Sequence, residues 1–334
     1  MLQQTQVKTV VPYWERWLRG LPTIEAVAKA SPDKIHKLWE GLGYYTRARN
    51  LQKAARQIVK KHGGKFPENF DDVLALPGIG RYTAGAICSI AFNQPTPILD
   101  GNVIRVLTRI FSISRNPREK ETNQLLWQIA EKLICRAKAT KDAKEKNSLR
   151  LSRSSREMNS CSFLNQSLME LGALVCTPRN PQCGTCPVQK LCVAFRENRV
   201  AELPNLGKRQ VTTTRRFVAF VVERNGRFLV RQRPAGVVNA HLWEFPNVEI
   251  LNGKFNPKLA AKNILGIEAR RIEPLCMVKH SITRYRITLE AFRVMPEGTS
   301  SGIWKTPAQM RRLALTAAHK KLASTAFNCI LSAR

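Results

Sequence analysis

The chain has 334 residues, with 55 Lys and Arg against 24 Asp and Glu, which gives a formal net charge of +31 at pH 7. This charge predicts a polyanionic partner such as a nucleic acid, although ribosomal and membrane-surface proteins share it. Because 43% of the residues are hydrophobic, the composition favours a basic folded protein of about two domains over a disordered basic tail. We see no membrane-spanning run and no secretory leader, so we expect a cytoplasmic protein without a membrane partner.

The first 134 residues have helical periodicity interrupted by turn signals. One predicted helix carries apolar residues on a single face, and these are Val10, Val11, Trp14, Trp17 and Leu18. A basic amphipathic helix is predicted from Thr46 to Lys61. No alternation typical of a strand appears before residue 215, so the N-terminal domain is predicted to be all-α.

The segment Leu76–Gly80 is predicted to form a turn between two helices, Phe70–Leu76 and Tyr82–Phe92. Gly78 and Gly80 permit backbone conformations that other residues resist, and they expose N–H groups at the start of the second helix. Such a helix N-terminus binds anions, here a DNA phosphate. A corner that serves only helix packing is the alternative.

Asp100 lies twenty residues after the second hairpin glycine and directly precedes a predicted helix, within Pro97-Ile98-Leu99-Asp100-Gly101-Asn102. It is a candidate catalytic carboxylate. The alternative is an ordinary N-cap, because Asp is among the residues that most often cap helices.

Four cysteines follow within 17 residues, with six, two and five residues between them: Cys176, Cys183, Cys186 and Cys192. In a reduced compartment, thiolates this close hold a metal centre more often than they form disulfides. A structural zinc site usually has two close cysteine pairs set well apart, whereas this segment has one pair between two single cysteines. Four thiolates also hold iron–sulfur clusters. The residues alone leave zinc and iron–sulfur open.

Together these features resemble the helix–hairpin–helix DNA glycosylases that carry an iron–sulfur loop, and the resemblance covers residues 1–198. The family's hairpin, catalytic aspartate and cluster ligands match the segments described above. Residues 1–7, 41–45 and 169–173 resemble the adenine DNA glycosylases of the MutY type. The resemblance implies one [4Fe-4S] cluster held by the four cysteines. It also implies a monomer, bound to the bacterial nucleoid, that removes adenine mispaired with 8-oxoguanine or guanine in double-stranded DNA.

Tyr82 distinguishes two branches of this family. The endonuclease III type has a Schiff-base lysine two residues after the second hairpin glycine, and this chain has Tyr82 there. Without an amine, covalent imine chemistry and strand cleavage are disfavoured. We therefore expect a monofunctional glycosylase that hydrolyses the N-glycosidic bond.

The resemblance also implies roles for further residues. Asp100 would stabilise the positively charged sugar, with Asn102 in support, and Tyr82 would have a polar role in the site. The residues that resemble the pocket-lining and gap-filling segment are Leu2, Gln3, Gln4 and Thr5. Tyr45 resembles the aromatic wedge beside 8-oxoguanine, although Tyr44 and Tyr45 are also typical of core residues.

The family's general-acid glutamate stands two residues before the methionine that matches Met1, so it is absent here. Glu15, Glu25 and Glu40 do not fall on its motif. Loss of a general acid typically lowers a rate roughly 10²–10⁴-fold. We expect the gene to encode the missing residue in frame upstream. The alternatives are a mismatch-binding protein with impaired catalysis, an endonuclease III-like glycosylase and a structural zinc protein.

The remaining segments differ in character. Residues 136–160 are rich in Lys, Arg and Ser and resemble an insertion, either a solvated disordered loop or an ordered DNA contact. Residues 199–214 are predicted to be a linker. From 215 to 334 strand patterns begin, with a hairpin predicted around Asn225-Gly226.

This C-terminal part, which includes Leu242–Pro246, resembles the Nudix-like α+β domain of adenine glycosylases. It lacks the glutamate-rich helix that holds magnesium in Nudix hydrolases, so we expect recognition rather than hydrolysis. The family's 8-oxoguanine loop aligns with residues 282–284. There Thr283 keeps a hydroxyl, and Arg284 could contact a phosphate or a carbonyl. The predicted fold is therefore a mainly α helix–hairpin–helix domain with a cluster loop at 176–192, followed by a Nudix-like domain.

Overall fold

The computed structural model of the chain describes residues 1–2, 5–147, 160–207, 211–251, 255–266, 268–282, 284–298 and 302–331. The α-helices are α1 (Val7–Gly20), α2 (Ile24–Lys29), α3 (Pro32–Trp39), α4 (Thr46–His62), α5 (Phe70–Leu74), α6 (Arg81–Phe92), α7 (Gly101–Ile110), α8 (Lys120–Asn147), α9 (Ser160–Glu170), α10 (Val193–Arg196), α11 (Pro257–Leu265), α12 (Pro307–Arg312) and α13 (Ala317–Leu331). The strands are β1 (Thr213–Arg224), β2 (Arg227–Gln232), β3 (Trp243–Glu244), β4 (Asn247–Ile250), β5 (Ala269–Ile282), β6 (Tyr285–Pro296) and β7 (Ile303–Lys305). A π-helical turn (Leu171–Val175) and two 3₁₀ turns (Cys183–Thr185 and Gln189–Leu191) complete the chain.

The chain divides into two compact units. The first combines Met1–Gly64 with Gln210–Arg334, and the second is Lys65–Arg209. This division differs from the predicted domains, 1–198 and 215–334, because helices α1–α4 group with the C-terminal strands. No helix of the described residues is long and apolar enough to cross a membrane.

Local sequence explains where the helices of the first unit begin and end. The side chains of Thr23 and Ser31 cap α2 and α3 by accepting backbone N–H groups within the first turn. Helix α4 ends at Gly63, whose φ of +59° is the left-handed conformation common at helix C-termini. Beneath these helices the rings of Trp17 and Trp39 meet edge to face, with centroids 5.7 Å apart, in an apolar cluster.

The C-terminal part of the first unit is a mixed sheet with the order β3-β2-β1-β6-β5, in which β4 also pairs with β1 and β7 with β2. Strands β1 and β6 are parallel, and the other pairs are antiparallel. Asn225 and Gly226 have φ values of 49° and 69°, as a type I′ turn requires, so the predicted hairpin is confirmed.

Alternate residues of β1 enter two different apolar clusters. Ala219 and Val221 pack with α13, whereas Val218 and Phe220 pack with α11. The sheet is therefore covered by a helix on each face, which explains why β1 is a continuous apolar run instead of an alternating one. The predicted α+β Nudix-like architecture is confirmed.

The second unit is helical over its described residues. Helices α7, α8 and α9 enclose an apolar cluster that includes Val103, Leu107 and Leu126. Helices α5 and α6 flank the predicted hairpin, although α5 ends at Leu74, two residues earlier than predicted. Helix α8 extends to Asn147, so the first part of the predicted insertion continues a helix, as its Ala, Lys and Glu content favours. Residues 148–159 of that insertion lie outside the described residues.

Candidate active site and metal centre

Asp100 caps helix α7 in the second unit. Its carboxylate Oδ1 accepts the backbone N–H of Val103 at 2.7 Å, and its own backbone is extended. Asp100 therefore does cap the helix, as the alternative interpretation of this residue as an N-cap predicted. It fixes the orientation of the carboxylate at the positive end of a ten-residue helix, where an anionic group is stabilised.

A close backbone contact fixes the segment that leads into Asp100. A Cβ atom added to Gly85 of α6 would lie 2.2 Å from the carbonyl oxygen of Pro97, so only glycine permits this approach. The hydroxyl of Thr96 donates to the Gly85 carbonyl at 3.0 Å. The 96–100 segment is thereby held against helix α6, which carries Tyr82 in its first turn.

Tyr82 and Asp100 lie in the same site. Burial and then the negative charge of Asp100 raise the pKa of the Tyr82 phenol. The hydroxyl of Tyr82 makes a long contact of 3.8 Å with the sulfur of Met169. The Tyr82 ring packs against the apolar cluster that contains Leu99 and Val103, so the two predicted catalytic side chains belong to neighbouring segments of the second unit.

Asn102, the third predicted catalytic residue, lies in the first turn of α7 and is held by a buried arginine. Arg105 donates to Asn102 Oδ1 at 2.8 Å, to the carbonyl of Gly172 at 2.6 Å and to the carbonyl of Cys176 at 2.7 Å. A Cβ atom on Gly172 would lie 2.7 Å from that of Asn102, so the π-helical turn packs directly on α7. The active-site helix and the first cluster cysteine are thus linked by one guanidinium.

The four predicted metal-ligating cysteines line one cavity, together with apolar side chains such as Val106 and Leu171. Burial and then the neighbouring thiols of Cys176, Cys186 and Cys192 raise the pKa of Cys183. Mutual repulsion of this kind is relieved when the thiolates bind iron.

A second arginine of α7 supports the cluster loop. The buried side chain of Arg109 donates to the Cys176 sulfur at 3.3 Å and to the Thr177 carbonyl at 2.8 Å. Hydrogen bonds to sulfur stabilise the thiolates of iron–sulfur centres. Among the described residues, no three His, Cys, Asp or Glu side chains meet closely enough to hold a single metal ion. The cavity lined by four thiols fits a cluster.

The hairpin glycines are exposed at the start of α6. Gly78 has a φ of +81°, which requires glycine, and Gly80 is the N-cap residue of α6, with open space around the position of its missing Cβ. This geometry agrees with the close approach of a phosphate to the backbone, and the phosphate contact itself stays a prediction.

The predicted pocket segment belongs to the first unit. Leu2 is exposed, and its carbonyl accepts the backbone N–H of Thr5 at 3.3 Å. Gln3 and Gln4 lie outside the described residues. The structure therefore shows only the flanks of this segment.

The structure corrects the choice of wedge residue. Tyr45 is 6% exposed, its hydroxyl accepts the Gly41 N–H at 3.3 Å, and burial raises its pKa to about 12. A side chain locked in the core in this way cannot enter DNA. Tyr44 instead is 50% exposed and has a φ of 48°, an uncommon conformation for an aromatic residue.

The predicted 8-oxoguanine loop is only partly described, because Thr283 lies outside the described residues. Arg284 is exposed and donates to the Tyr285 hydroxyl at 3.1 Å, and its guanidinium lies 5.2 Å from the centre of the Tyr285 ring. Arg215 lies at the same distance from that ring. Two arginine side chains thus contact one aromatic ring at this end of the sheet, and Arg215 is also paired with Glu249.

Sequence reasoning missed three residues that the structure makes prominent. Tyr44 could have been found from the glycines at 41 and 43, which indicate a turn that exposes the residue after it. Arg105 and Arg109 are four residues apart and lie on one face of the helix predicted after Asp100, among apolar residues, so two arginines at that spacing were the available signal.

The second unit thus combines a capped carboxylate, a hairpin between two helices and a four-cysteine loop, and the first unit carries a Nudix-like sheet. A model of the HhH-GPD superfamily of base excision DNA repair proteins matches residues 1–132, and a model of the iron–sulfur binding domain of endonuclease III matches 176–192. A NUDIX domain model matches 217–325.

Adenine DNA glycosylase of Rattus norvegicus is 32% identical over 96% of this chain and 69% of its own length. Adenine DNA glycosylase of Buchnera aphidicola subsp. Baizongia pistaciae is 35% identical over 79% of this chain and 71% of its own. A solved thermostable thymine-DNA glycosylase has 27% identity and a TM-score of 0.47, and the match covers 59% of this chain and 80% of that one. The chain belongs to the adenine DNA glycosylase family, and it binds one [4Fe-4S] cluster.

Proposed function

We propose that this protein removes adenine from double-stranded DNA where the base is mispaired with 8-oxoguanine or guanine, by hydrolysis of the N-glycosidic bond. The observation that carries the proposal is the Asp100 carboxylate, which the cap of α7 orients at the positive end of that helix, in a segment packed against the helix that carries Tyr82. An adenine can depart only as the sugar becomes positively charged, and a carboxylate at that point stabilises the transition state. Tyr82 has no amine that could form a covalent imine, so a hydrolytic route is favoured.

Each residue has a separate part in this mechanism. Asp100 stabilises the oxocarbenium-like sugar, and Asn102, held by Arg105, supports the same sugar or its incoming water. Tyr82 orients the sugar or its phosphate through its hydroxyl. The four cysteines would hold the cluster, whose iron would offset the negative charge of their thiolates. We do not assign the role of general acid to Glu15, Glu25 or Glu40. The carboxylate of Glu40 already forms ion pairs with Lys37 and Lys320.

Recognition of the mispair is assigned to the first unit. The adenine must leave the base stack, which costs a few kcal/mol and less at a mispair than at a normal pair. We assign the aromatic wedge to Tyr44, since it is exposed, and the cationic edge near 8-oxoguanine to Arg284. Leu2 and Thr5 flank the segment proposed to fill the gap. The hairpin glycines contact a phosphate, and the protein acts as a monomer on the nucleoid.

Binding and base release test this proposal together. Duplexes with adenine opposite 8-oxoguanine, guanine or thymine would be compared for affinity and for adenine release in a single turnover. We expect release with the phosphodiester strand intact and the strongest affinity opposite 8-oxoguanine. Strand cleavage together with an imine that borohydride traps would contradict the hydrolytic assignment. Equal affinity for all three duplexes would contradict mispair recognition.

A further inference from the structure

Glu40 is a buried carboxylate that the proposed chemistry does not use. Its side chain is 6% exposed, and Oε2 accepts hydrogen bonds from Lys37 and Lys320, each at 2.8 Å. Oε1 accepts the backbone N–H of Leu315 at 3.1 Å. Although burial opposes ionisation, these hydrogen bonds lower the pKa of Glu40, so it is an anion at neutral pH.

The contacts of Glu40 join two distant parts of the first unit. Lys37 also donates to the carbonyl of Leu313 at 2.9 Å, and Arg49 of α4 donates to the carbonyl of Ala240 at 3.1 Å. Leu242 and Ala314 are buried in the same apolar cluster as the N-terminal tryptophans. The Nudix-like part is thus fixed to α3 and α4 by apolar packing, with one buried carboxylate at its centre.

Glu40 is also the residue from which the exposed aromatic loop departs. It ends α3, and the next residue, Gly41, has a φ of +108° and donates its N–H to the Tyr45 hydroxyl. The Trp39 indole donates to the Gly43 carbonyl at 3.0 Å. These bonds leave the loop little freedom between Glu40 and Tyr44.

Arg47 completes the support of Tyr44. Its guanidinium lies 5.5 Å from the centre of the Tyr44 ring and 5.4 Å from that of Trp39, between the two aromatic side chains. It also donates to the carbonyls of Leu42 and Gly43. Arg47 therefore ties the Tyr44 ring to the backbone of the loop that begins at Glu40.

We propose that Glu40 is a positioning residue that couples the Nudix-like part, through Lys320 and Leu315, to the loop that presents Tyr44 to the mispair. It acts through Tyr44 and touches no substrate. The proposal rests on the function proposed above, in which Tyr44 enters the duplex. It gives the C-terminal part a second contribution to discrimination, because that part holds the wedge in place besides contacting DNA itself.

The test is a double-mutant cycle between Glu40→Gln and Tyr44→Ala, read as a specificity ratio. The ratio is the dissociation constant for a fully paired duplex divided by that for a duplex with adenine opposite 8-oxoguanine, and it does not depend on turnover. We expect Glu40→Gln to lower the ratio roughly three- to tenfold, and to lower it no further in the Tyr44→Ala background. Glu15→Gln, on the exposed side of α1, changes the net charge equally and should leave the ratio unchanged.

The outcomes separate the two proposals. A ratio unaffected by Tyr44→Ala contradicts the wedge assignment in the proposed function. A ratio lowered by both substitutions, with effects that multiply in the double variant, overturns the coupling but keeps the wedge. An unaffected ratio in a folded Glu40→Gln protein also overturns the coupling.

If Glu40→Gln lowers the melting temperature substantially, Lys320→Met tests the same contact. The Lys320 side chain is 56% exposed, so its loss leaves the core intact. We expect Lys320→Met to lower the specificity ratio in the same direction as Glu40→Gln. An unchanged ratio would overturn the proposal.

Discussion

Asp100 caps helix α7 and also supplies a negative charge to the site, and one substitution can separate these two roles. Asparagine caps helices as well as aspartate does, so Asp100→Asn keeps the bond to the Val103 N–H and removes only the charge. We expect single-turnover adenine release to fall about 10²–10³-fold, the usual loss for one group that stabilises transition-state charge.

The matched variant is Asp100→Ala, which loses both the cap and the charge. It should lose as much activity and, in addition, about 1 kcal/mol of stability. Adenine release by Asp100→Asn at the wild-type rate would contradict a catalytic role for Asp100. The affinity for the mispair should change little in either variant.

Tyr44 and Tyr45 are adjacent in sequence but differ in environment. Tyr45→Ala should lower the free energy of unfolding by about 3–5 kcal/mol, because it empties a buried aromatic site. Tyr44→Ala should lower it by less than about 1 kcal/mol and act on mispair affinity instead. Chemical denaturation of both variants checks this, and equal destabilisation would contradict the correction of the wedge residue.

At the scale of elements, Arg105 connects helix α7 to the π-helical turn that leads into the cluster loop. Arg105→Leu would leave the buried carbonyls of Gly172 and Cys176 without this donor, at a cost of at least about 2 kcal/mol. We expect less iron per chain and a weaker visible absorbance in the purified protein. Arg179→Leu removes the same charge from an exposed position of the loop and should retain full iron content. An Arg105→Leu protein with full iron and unchanged stability would contradict the role assigned to this contact.

Helix α3 carries a buried histidine that makes the first unit sensitive to acid. The ring of His36 is 2% exposed, and burial, then Arg49 and His241, lower its pKa to about 4, against an opposing effect of Asp33. The unfolded chain therefore binds more protons between pH 6.5 and 4, so stability is full above that range and falls as the pH decreases through it.

His36→Phe should reduce the loss of unfolding free energy between pH 7 and pH 5 by at most about 2 kcal/mol. The comparison is denaturant unfolding of both proteins at the two pH values. A variant with the same pH dependence as the parent would show that another group is responsible, and His319, whose pKa burial also lowers to about 4, is the next to test.

At the scale of the whole molecule, the positive charge predicts steep salt dependence of DNA binding. If six to ten phosphates are neutralised, affinity should fall about 10³–10⁵-fold between 50 and 200 mM salt. Titration of a duplex at several salt concentrations measures the slope. A slope near zero would contradict binding along the DNA backbone.

Periodicity and motif chemistry predicted the architecture well. The α5–α6 hairpin, the Asn225-Gly226 turn and the strand-rich C-terminal part follow from local patterns that the chain obeys. Two features could not be predicted in this way. The choice between Tyr44 and Tyr45 depends on which ring the loop buries. The grouping of residues 1–64 with the Nudix-like part depends on contacts between residues far apart in the sequence, such as Glu40 and Lys320, which are 280 residues apart.

The central claim is that this chain uses Asp100 to hydrolyse adenine from a mispair. The most direct measurement is single-turnover release of free adenine from a duplex with adenine opposite 8-oxoguanine. It would be made with this protein and with its Asp100→Asn variant. We predict adenine release that leaves an intact abasic strand, at a rate about 10²–10³-fold lower in Asp100→Asn. No release by the parent protein, despite tight and selective binding, would contradict the enzymatic function and leave a recognition protein.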